Sequence, residues 1–380
     1  MNQTSKIPCV ILRGGTSKGI YLKAADLPED KCERDELICK IFGSPDVRQI
    51  DGLGGADPLT SKCAIIGPAS RPDADVDYTF GQVSINEKYI DYSGNCGNIS
   101  AGVGPFAIDE GLVSAVEGIT KVRIHNTNTG RIILAEVPTV AGQAAVIGDH
   151  VIAGVPGAGA KIMLDYSDTA GAVTGKLLPT GNSTDTLAIE GFGKVTVSIV
   201  DAANVVIFVR AKELGLTGIE TPKELGNRPD MLELLEKIRG AAAVKIGMAK
   251  DAADALKRIP AFPMIAFVSP ATDYTDFTTG DLIKAADIDF VSRLMFMQVM
   301  HKTYAGTGTI CTGVAAKIPG TVVNEIITGT DKPLIRFGHP AGVIEVEVVT
   351  DSQNNKVVLT RAAMSRTARR IMDGNVYVVK

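Results

Sequence analysis

The sequence has no tryptophan, only four histidines, and six cysteines that form no CxxC pair. Metal sites usually draw on cysteines and histidines at short, fixed spacings, and disulfide-rich domains on closely spaced cysteines. Neither pattern occurs here, and no HExxH segment is present. The sequence therefore predicts reduced thiols, no metal site and no disulfide framework.

Long apolar runs and an excess of basic residues are also missing. No stretch approaches the roughly 18 apolar residues of a membrane span, and the start MNQTSKIP has no apolar signal core. We therefore expect a cytoplasmic protein with no membrane partner. The formal net charge is -4, so the sequence lacks the excess of positive charge that is typical of nucleic-acid-binding proteins.

The chain is long and rich in glycine. A chain of 380 residues exceeds the roughly 250 to 300 residues at which single cores stop growing, which predicts two domains. The 40 glycines favour many tight turns in a strand-rich fold.

Three segments of the first half recur, in the same order, in the second half. The pairs are IYLKAADL (20–27) with IFVRAKEL (207–214), AIIGPA (64–69) with AFVSPA (266–271), and NISAGVG (98–104) with TICTGVA (309–315). Such self-similarity indicates a duplicated unit. Each half reads as short alternating strands around one apolar, glycine-rich helix, so we expect an α/β (α+β) fold of two similar domains.

The turn-forming residues of LLPTGNSTDTLAIEG place the domain boundary there. The predicted domains are residues 1–184 and 185–380, with the option that the final strand returns to the first domain. RTARRIMDG reads as an amphipathic surface helix ahead of that strand. Two facing domains would direct the N-termini of their central helices into one cleft, a natural anion site.

Cys96 lies in the segment SGNCGN, where a polar turn precedes the first apolar helix. A thiol at the first turn of a helix meets unpaired backbone N–H groups and the positive end of the helix dipole, which stabilise its thiolate. Cys96 is therefore a candidate base or nucleophile, although a small buried cysteine would look the same.

Lys62, in DPLTSKCAI, enters an apolar segment that reads as a buried strand. Desolvation would lower its pKa and make the free amine available as a base. The alternative is an amine that reaches the surface or a carboxylate such as Asp57. Aligning the repeats puts Thr307 opposite Cys96 and Met264 opposite Lys62, so the scaffold repeats while the reactive groups do not.

Other segments have structural interpretations. Cys311 is expected in the core of the second helix, and AGVPGAGAKIM reads as a turn because it lacks the Gly-Lys-Ser/Thr of a phosphate-binding loop. Arg336 and His339, in RFGHPAG, are a strand-turn pair with a structural or a functional role.

The motifs RGGTSKG, GGADPLTSKCAI, SGNCGN, MHKTYAGTGTICTGVAA and RFGHPAG, with the final RTARRIMDG, occur in this order along essentially the whole chain and carry a family resemblance. The sequence resembles the diaminopimelate-epimerase-like isomerases, in the 2-methylaconitate cis-trans isomerase branch. The resemblance implies two similar domains, each with a barrel-like, mostly antiparallel sheet around a central helix, and an active site in the interdomain cleft.

In that family the lysine of the TSK segment and the cysteine of the CGN segment are the proton-transfer pair, which carries over to Lys62 and Cys96. The serine of the glycine loop and the histidine before the second helix face the cleft, which carries over to Ser17 and His301. Racemases of this fold have a second cysteine where the alignment gives Thr307, which argues against racemase chemistry.

The resemblance implies a cofactor-independent 1,3-allylic proton shift in an unsaturated dicarboxylate, with 3-methylitaconate and 2,3-dimethylmaleate as the favoured substrate and product. Which of the two catalytic residues removes the proton stays open. The expected carboxylate-binding groups are backbone N–H groups and side chains of Ser17, Gly97, Asn98, His301, Gly308 and Thr309. The glycines of RGGTSKG would let backbone N–H groups approach an anion.

Two alternatives remain at this stage. One is the same chemistry on a tricarboxylate, as a 2-methylaconitate cis-trans isomerase or a 4-oxalomesaconate tautomerase. The other is a carboxylate-binding protein without catalysis. In each case the expected partner is a small unsaturated di- or tricarboxylate, and we expect a homo-oligomer, a dimer or a tetramer.

Overall fold

The computed structural model describes residues 3–327, 332–353 and 356–379. The chain forms two compact units, Met1–Leu164 with Arg366–Lys380, and Asp165–Ser365. The stretch 177–191, on which the sequence-based boundary rests, lies within the second unit. No helix in the described ranges is long and apolar enough to cross a membrane.

The strands are β1 (Thr4–Gly14), β2 (Ser17–Lys23), β3 (Lys62–Pro68), β4 (Val76–Val83), β5 (Ile90–Asp91), β6 (Gly118–Asn126), β7 (Arg131–Val140), β8 (Gln143–Ala144), β9 (Ile162–Asp165), β10 (Asp185–Ile189), β11 (Gly193–Ala202), β12 (Asn204–Arg210), β13 (Met264–Pro270), β14 (Tyr274–Thr275), β15 (Leu282–Ile283), β16 (Phe290–Phe296), β17 (Val299–Met300), β18 (Leu334–His339), β19 (Gly342–Gln353), β20 (Lys356–Arg366) and β21 (Ala368–Val379). The α-helices are α1 (Lys31–Phe42), α2 (Gly97–Asp109), α3 (Pro222–Gly226), α4 (Pro229–Lys245), α5 (Ala252–Arg258) and α6 (Gly306–Lys317).

The first unit wraps its sheet around α2. β1 is antiparallel to β2, β2 is parallel to β3, and β3 is antiparallel to β4. β4 then runs parallel to β6, which is antiparallel to β7. Every residue of α2 from Gly97 to Ile108 is buried. Helix α1, inserted between β2 and β3, buries its apolar side together with Cys9, Cys39 and Cys63.

The second unit repeats this plan around α6. β11 is antiparallel to β12, β12 is parallel to β13, and β13 is antiparallel to β16. β16 runs parallel to β18, which is antiparallel to β19. Helices α3 to α5 take the place of α1 in the order of elements. The duplication read from the sequence is therefore confirmed element by element.

Glycine explains how such poor helix formers become the buried central helices. A Cβ on Gly102 would lie 2.4 Å from the Tyr21 hydroxyl, and one on Gly104 would lie 2.7 Å from Val137. In α6, a Cβ on Gly313 would lie 2.5 Å from Val346. The close approach of sheet to helix requires glycine, and tertiary burial replaces the lost helix propensity.

The expected surface helix at RTARRIMDG is wrong. Residues 368–379 form the strand β21, which pairs antiparallel with β1 from Thr4 opposite Val379 to Gly14 opposite Ala368. One register shift occurs between Ile11 and Leu12. Pairing along the whole of β1 satisfies the backbone of this segment, and such long-range pairing overrides a local helical pattern.

Candidate active site

Cys96 is the N-cap residue of α2 and is partly exposed. The side-chain amide oxygen of Asn95, Oδ1, accepts hydrogen bonds from the Cys96 backbone N–H at 2.7 Å and from Ser100 Oγ at 3.2 Å. Ser100 Oγ also lies 3.0 Å from the Cys96 carbonyl oxygen. The asparagine before the cysteine therefore holds the thiol-bearing residue at the start of the helix, as the sequence predicts.

Lys62 is the first residue of β3, and its side chain is 2% exposed. Its Nζ donates to Gln82 Oε1 at 2.6 Å and lies 5.4 Å from the centre of the Phe80 ring. The amine is also within hydrogen-bonding reach of the Cys96 thiol. The two residues proposed from the sequence as an acid–base pair are thus brought together.

Burial dominates the electrostatics of this pair. Desolvation lowers the pKa of Lys62 below the ordinary lysine value, while a Cys96 thiolate, the Asp57 carboxylate and the hydrogen bond to Cys96 act in the opposite direction. A lysine with a lowered pKa releases its proton more readily than an ordinary lysine, so the Lys62 amine is suited to proton transfer.

The glycine loop before β2 fits against the start of α2. Gly15 has φ +51°, and a Cβ there would lie 2.3 Å from Asn98 Oδ1. A Cβ on Gly14 would lie 2.3 Å from the Asn98 carbonyl oxygen. The glycines are therefore required by close packing against the helix N-terminus. Ser17, which begins β2, is buried, and within the described ranges its Oγ has no hydrogen-bond partner.

Two groups fix the side chain of Asn98. Its Nδ2 donates to Thr16 Oγ1 at 3.0 Å, and its Oδ1 accepts from Arg366 Nε at 3.1 Å. Arg366 is itself buried, at 3% exposure. The sequence reading missed this guanidinium because Arg366 is the first residue of RTARRIMDG, the segment taken for a surface helix, whereas in the structure it ends β20. The RTARR run was a weak signal for it.

The second unit places its predicted site residues around the start of α6. His301 is buried, and its Nδ1 accepts from the Thr303 backbone N–H at 3.1 Å. In the neutral ring this contact leaves the proton on Nε2. Thr307 Oγ1 accepts from Asn204 Nδ2 at 3.0 Å.

The pairing of Cys96 with Thr307 needs correction by two residues. In α2 the Ser100 N–H and hydroxyl both bond the Cys96 carbonyl, and in α6 the Thr309 N–H and hydroxyl both bond the Ala305 carbonyl. Ala305 is also the N-cap residue of α6. Cys96 therefore corresponds to Ala305, and the second helix start still has no thiol.

This register also changes which backbone N–H groups belong to the first turn of α6. The Thr309 N–H donates to Ala305 O at 2.7 Å, so it belongs to the helical ladder and is not a free donor. The backbone N–H groups of the first turn of α6, ahead of Thr309, are those of Gly306, Thr307 and Gly308. Gly308 keeps its predicted place, while Gly306 and Thr307 are additions.

Three further residues from the sequence analysis have partners within the second unit. Cys311 is buried in α6, its Sγ donates to Val200 O at 3.2 Å, and burial raises its pKa, as the core interpretation predicts. Arg336 pairs with Glu345, and both side chains are about half exposed. His339 is buried, with its Nδ1 accepting from Ala341 N. Over the described ranges, no three His, Cys, Asp or Glu side chains group as a metal site.

The sequence matches the family described as "PrpF protein" over residues 4–379. The chain belongs to the PrpF family. It is 60% identical to a 3-methylitaconate isomerase of Eubacterium barkeri, over 100% of this chain and 99% of that one. It is 39% identical to a 2-methyl-aconitate isomerase of Cupriavidus necator, over 98% and 97%, and 39% identical to a 4-oxalomesaconate tautomerase of Pseudomonas putida, over 100% and 97%.

Solved structures agree with this PrpF assignment. A crystal structure of methylitaconate-delta-isomerase matches with a TM-score of 0.82 at 59% identity, over 100% of this chain and 97% of that one. A hydroxyproline epimerase from Agrobacterium vitis matches with a TM-score of 0.61 at 11% identity, over 99% and 93%, a likeness of fold alone. The predicted diaminopimelate-epimerase-like fold, family and isomerase class are thereby confirmed.

Proposed function

We propose that the protein moves the double bond of 3-methylitaconate to give 2,3-dimethylmaleate by a 1,3-allylic proton shift. The contact between the Lys62 amine and the Cys96 thiol carries this proposal. The 60% identity to a 3-methylitaconate isomerase supports the choice of substrate.

The reaction needs one proton to leave and one to arrive. The C–H between the methyl group and its carboxylate loses a proton, and the electron pair spreads over that carboxylate and the adjacent C=C bond. A proton then adds to the terminal methylene carbon, which becomes a methyl group. No atom is gained or lost, and no electron leaves the substrate.

Lys62 and Cys96 divide these two transfers. If the neutral amine takes the proton and the thiol returns one, the pair ends as ammonium and thiolate. If the thiolate takes it and the ammonium returns it, the pair ends as thiol and amine. In both cases a proton passing between Lys62 and Cys96 restores the starting state, because the two groups lie within hydrogen-bonding reach.

Stabilisation of the developing negative charge is the larger catalytic requirement. In the first unit we assign it to the backbone N–H groups of Gly97 and Asn98 and to the Ser17 hydroxyl, whose oxygen is buried and has no partner in the described part of the chain. The helix dipole of α2 adds a fixed positive end. The contributions of His301, Gly308 and Thr309, and an active site between the two domains, stay predictions.

A tricarboxylate is the second candidate substrate class. Arg366 favours it, because a buried guanidinium beside Asn98 is an additional cationic group of the kind that a third carboxylate requires. The 39% identical relatives named for 2-methyl-aconitate and 4-oxalomesaconate belong to this class. Comparing kcat/KM for 3-methylitaconate, 2-methylaconitate and 4-oxalomesaconate decides between the two.

The experiment for the proposed function is proton NMR of 3-methylitaconate in D₂O with the protein and its variants. We expect the methylene signals to be replaced by methyl signals, and expect Lys62→Ala and Cys96→Ala to abolish the change. Lys88→Ala and Cys32→Ala, at exposed positions, are the matched controls. A substrate that binds without isomerisation or deuterium uptake would favour the carboxylate-binding alternative.

Size and location complete the proposal. We expect a cytoplasmic homo-oligomer, a dimer or tetramer, and light scattering after size exclusion measures the assembly directly. A monomer across the working concentration range would contradict it.

A further inference from the structure

Three buried polar side chains lie side by side across the strands that carry Lys62. Lys62 on β3 is directly opposite Gln82 on β4, and Gln82 is directly opposite Asp91 on β5. All three are at most 2% exposed. Directly opposite residues of antiparallel strands project to the same face of a sheet, so the three side chains form one row. We call it the polar row.

The amide of Gln82 has only one arrangement that satisfies its surroundings. Its Nε2 donates to two backbone carbonyl oxygens, that of Ser61 at 3.0 Å and that of Pro58 at 3.2 Å. Both hydrogens of the amide nitrogen are therefore used, and the oxygen Oε1 must face the other way, toward Lys62 Nζ at 2.6 Å. A carboxylate at this position would set a lone pair against each carbonyl, so the site requires an amide.

The repeated unit shows that the scaffold does not need a polar row. β13 begins at Met264, and its register of Ile265 with Met295 puts Met264 opposite Phe296. Phe296 in turn is opposite Val299. The three equivalent positions are thus apolar in a unit with the same strand order. The polar row of the first unit has a role other than holding the strands together.

We propose that Gln82 is the positioning residue of Lys62: its neutral amide oxygen aims the amine toward Cys96 while withholding the negative charge that a carboxylate would bring. This inference rests on the proposed function and deepens it by naming what keeps the base in place. Gln82 acts through its hydrogen bond to the Lys62 amine and transfers no proton itself.

The other groups that face Lys62 show why neutrality matters. The Cys96 thiol approaches from α2, Asp57 acts from the loop before β3, the Phe80 ring lies on β4, and Asp91 ends the polar row. Burial lowers the pKa of Lys62 against the opposing effects of Cys96 and Asp57. A further carboxylate in direct contact would favour the ammonium form and raise that pKa.

The test compares wild-type protein with Gln82→Glu, Gln82→Met and the control Gln143→Glu, which adds the same charge on exposed β8. Two quantities are measured: the pH profile of kcat/KM with 3-methylitaconate, and the titration of the Lys62 side chain by NMR of ¹³C-lysine-labelled protein, assigned with Lys62→Arg. In Gln82→Glu, we expect the midpoint of the Lys62 titration to rise by about 1 pH unit or more. The part of the kcat/KM profile that follows Lys62 ionisation should move by the same amount.

Gln82→Met is close in size and removes the acceptor without adding charge. We expect it to lower kcat about 10²-fold through misplacement of the amine, with a folded circular dichroism spectrum and no upward shift of the titration. If Gln82→Glu does not fold, this variant decides alone. The control should match wild type in both quantities.

Two results would overturn the inference: a Gln82→Glu titration that superimposes on wild type, or a Gln82→Met enzyme with unchanged kcat. Failure of the proposed function gives a different result from either of these. If wild-type protein isomerises none of the three acids while the Lys62 titration still moves up in Gln82→Glu, the role of Gln82 stands and the substrate assignment falls.

Discussion

The two units share one scaffold and differ in what their equivalent positions carry. Where the first unit has Lys62 at the start of β3 and Cys96 at the start of α2, the second has Met264 and Ala305. Both units pair their strands in the same order, so neither the lysine nor the cysteine is needed to form this fold. The comparison separates residues that build the scaffold from the two residues to which we assign the proton transfers.

Replacing Lys62 with the residue of the second unit gives the largest expected effect. Lys62→Met should lower kcat/KM by about 10²- to 10⁴-fold or more, since it removes one of the two proton carriers. It should also leave the protein folded, because Met264 occupies the equivalent place at 1% exposure. Isomerisation rates test the expected loss of activity, and thermal unfolding tests whether the variant is folded. A variant that fails to fold would contradict the expectation that Met is accepted at this position.

The reverse exchange tests whether the second unit accepts a lysine. Met264→Lys puts an amine beside Phe296 and Ile265, without the acceptor that Gln82 supplies in the first unit. We expect a loss of about 3 kcal/mol or more in the free energy of unfolding, because a buried charge lacks compensation. Urea unfolding measures it, with Met264→Leu as the control for side-chain size. Equal free energies of unfolding for Met264→Lys and Met264→Leu would contradict this prediction, and would show that water or a structural rearrangement compensates the buried amine.

The first residues of β2 and β12 provide a subtler contrast. Ser17→Ala removes a hydroxyl that has no protein partner in the described ranges, so stability should change by less than about 0.5 kcal/mol while KM rises. Asn204→Ala removes the donor to Thr307 and should cost about 1 to 2 kcal/mol. Parallel unfolding and kinetic measurements on both variants check the contrast. It fails if Ser17→Ala is the less stable of the two.

The lowered pKa of Lys62 makes one stability difference depend on pH. Burial lowers this pKa in the folded protein below the ordinary value of 10.5, so between the two values the unfolded chain binds more protons. Stability from this group therefore rises with pH through that window, by at most about 1.4 kcal/mol per pH unit. We expect Lys62→Met to have a higher free energy of unfolding than wild type, because it removes a buried amine. This difference in the free energy of unfolding should shrink as the pH approaches 10.5. Unfolding curves of both proteins across this range measure it.

The sequence was sufficient for features that depend on local pattern. The sequence pattern placed Cys96 at the start of a glycine-rich apolar helix and Lys62 at the start of a buried strand, as the structure shows, and the three repeats predicted the duplicated unit. Family resemblance added Ser17, which begins β2 directly after Thr16, the residue that accepts from Asn98.

Features that depend on register could not be read in this way. Gln82 enters the site only because β4 pairs with β3 in one register, and Arg366 only because β20 ends near Asn98. The strand at RTARRIMDG depends on a partner more than 350 residues away in the chain, which is β1. The two-residue error at Thr307 arose because sequence similarity aligned the middles of the helices and not their first hydrogen bonds.

The pairing of β21 with β1 has a consequence for biosynthesis. The second unit is one continuous stretch, Asp165–Ser365, and can fold as soon as it leaves the ribosome. The first unit waits with β1 lacking its neighbour until Ala368–Val379 has been translated. The unit that carries the proposed acid–base pair is therefore completed last, so a nascent chain stalled before this strand would have a complete second unit and an incomplete first one.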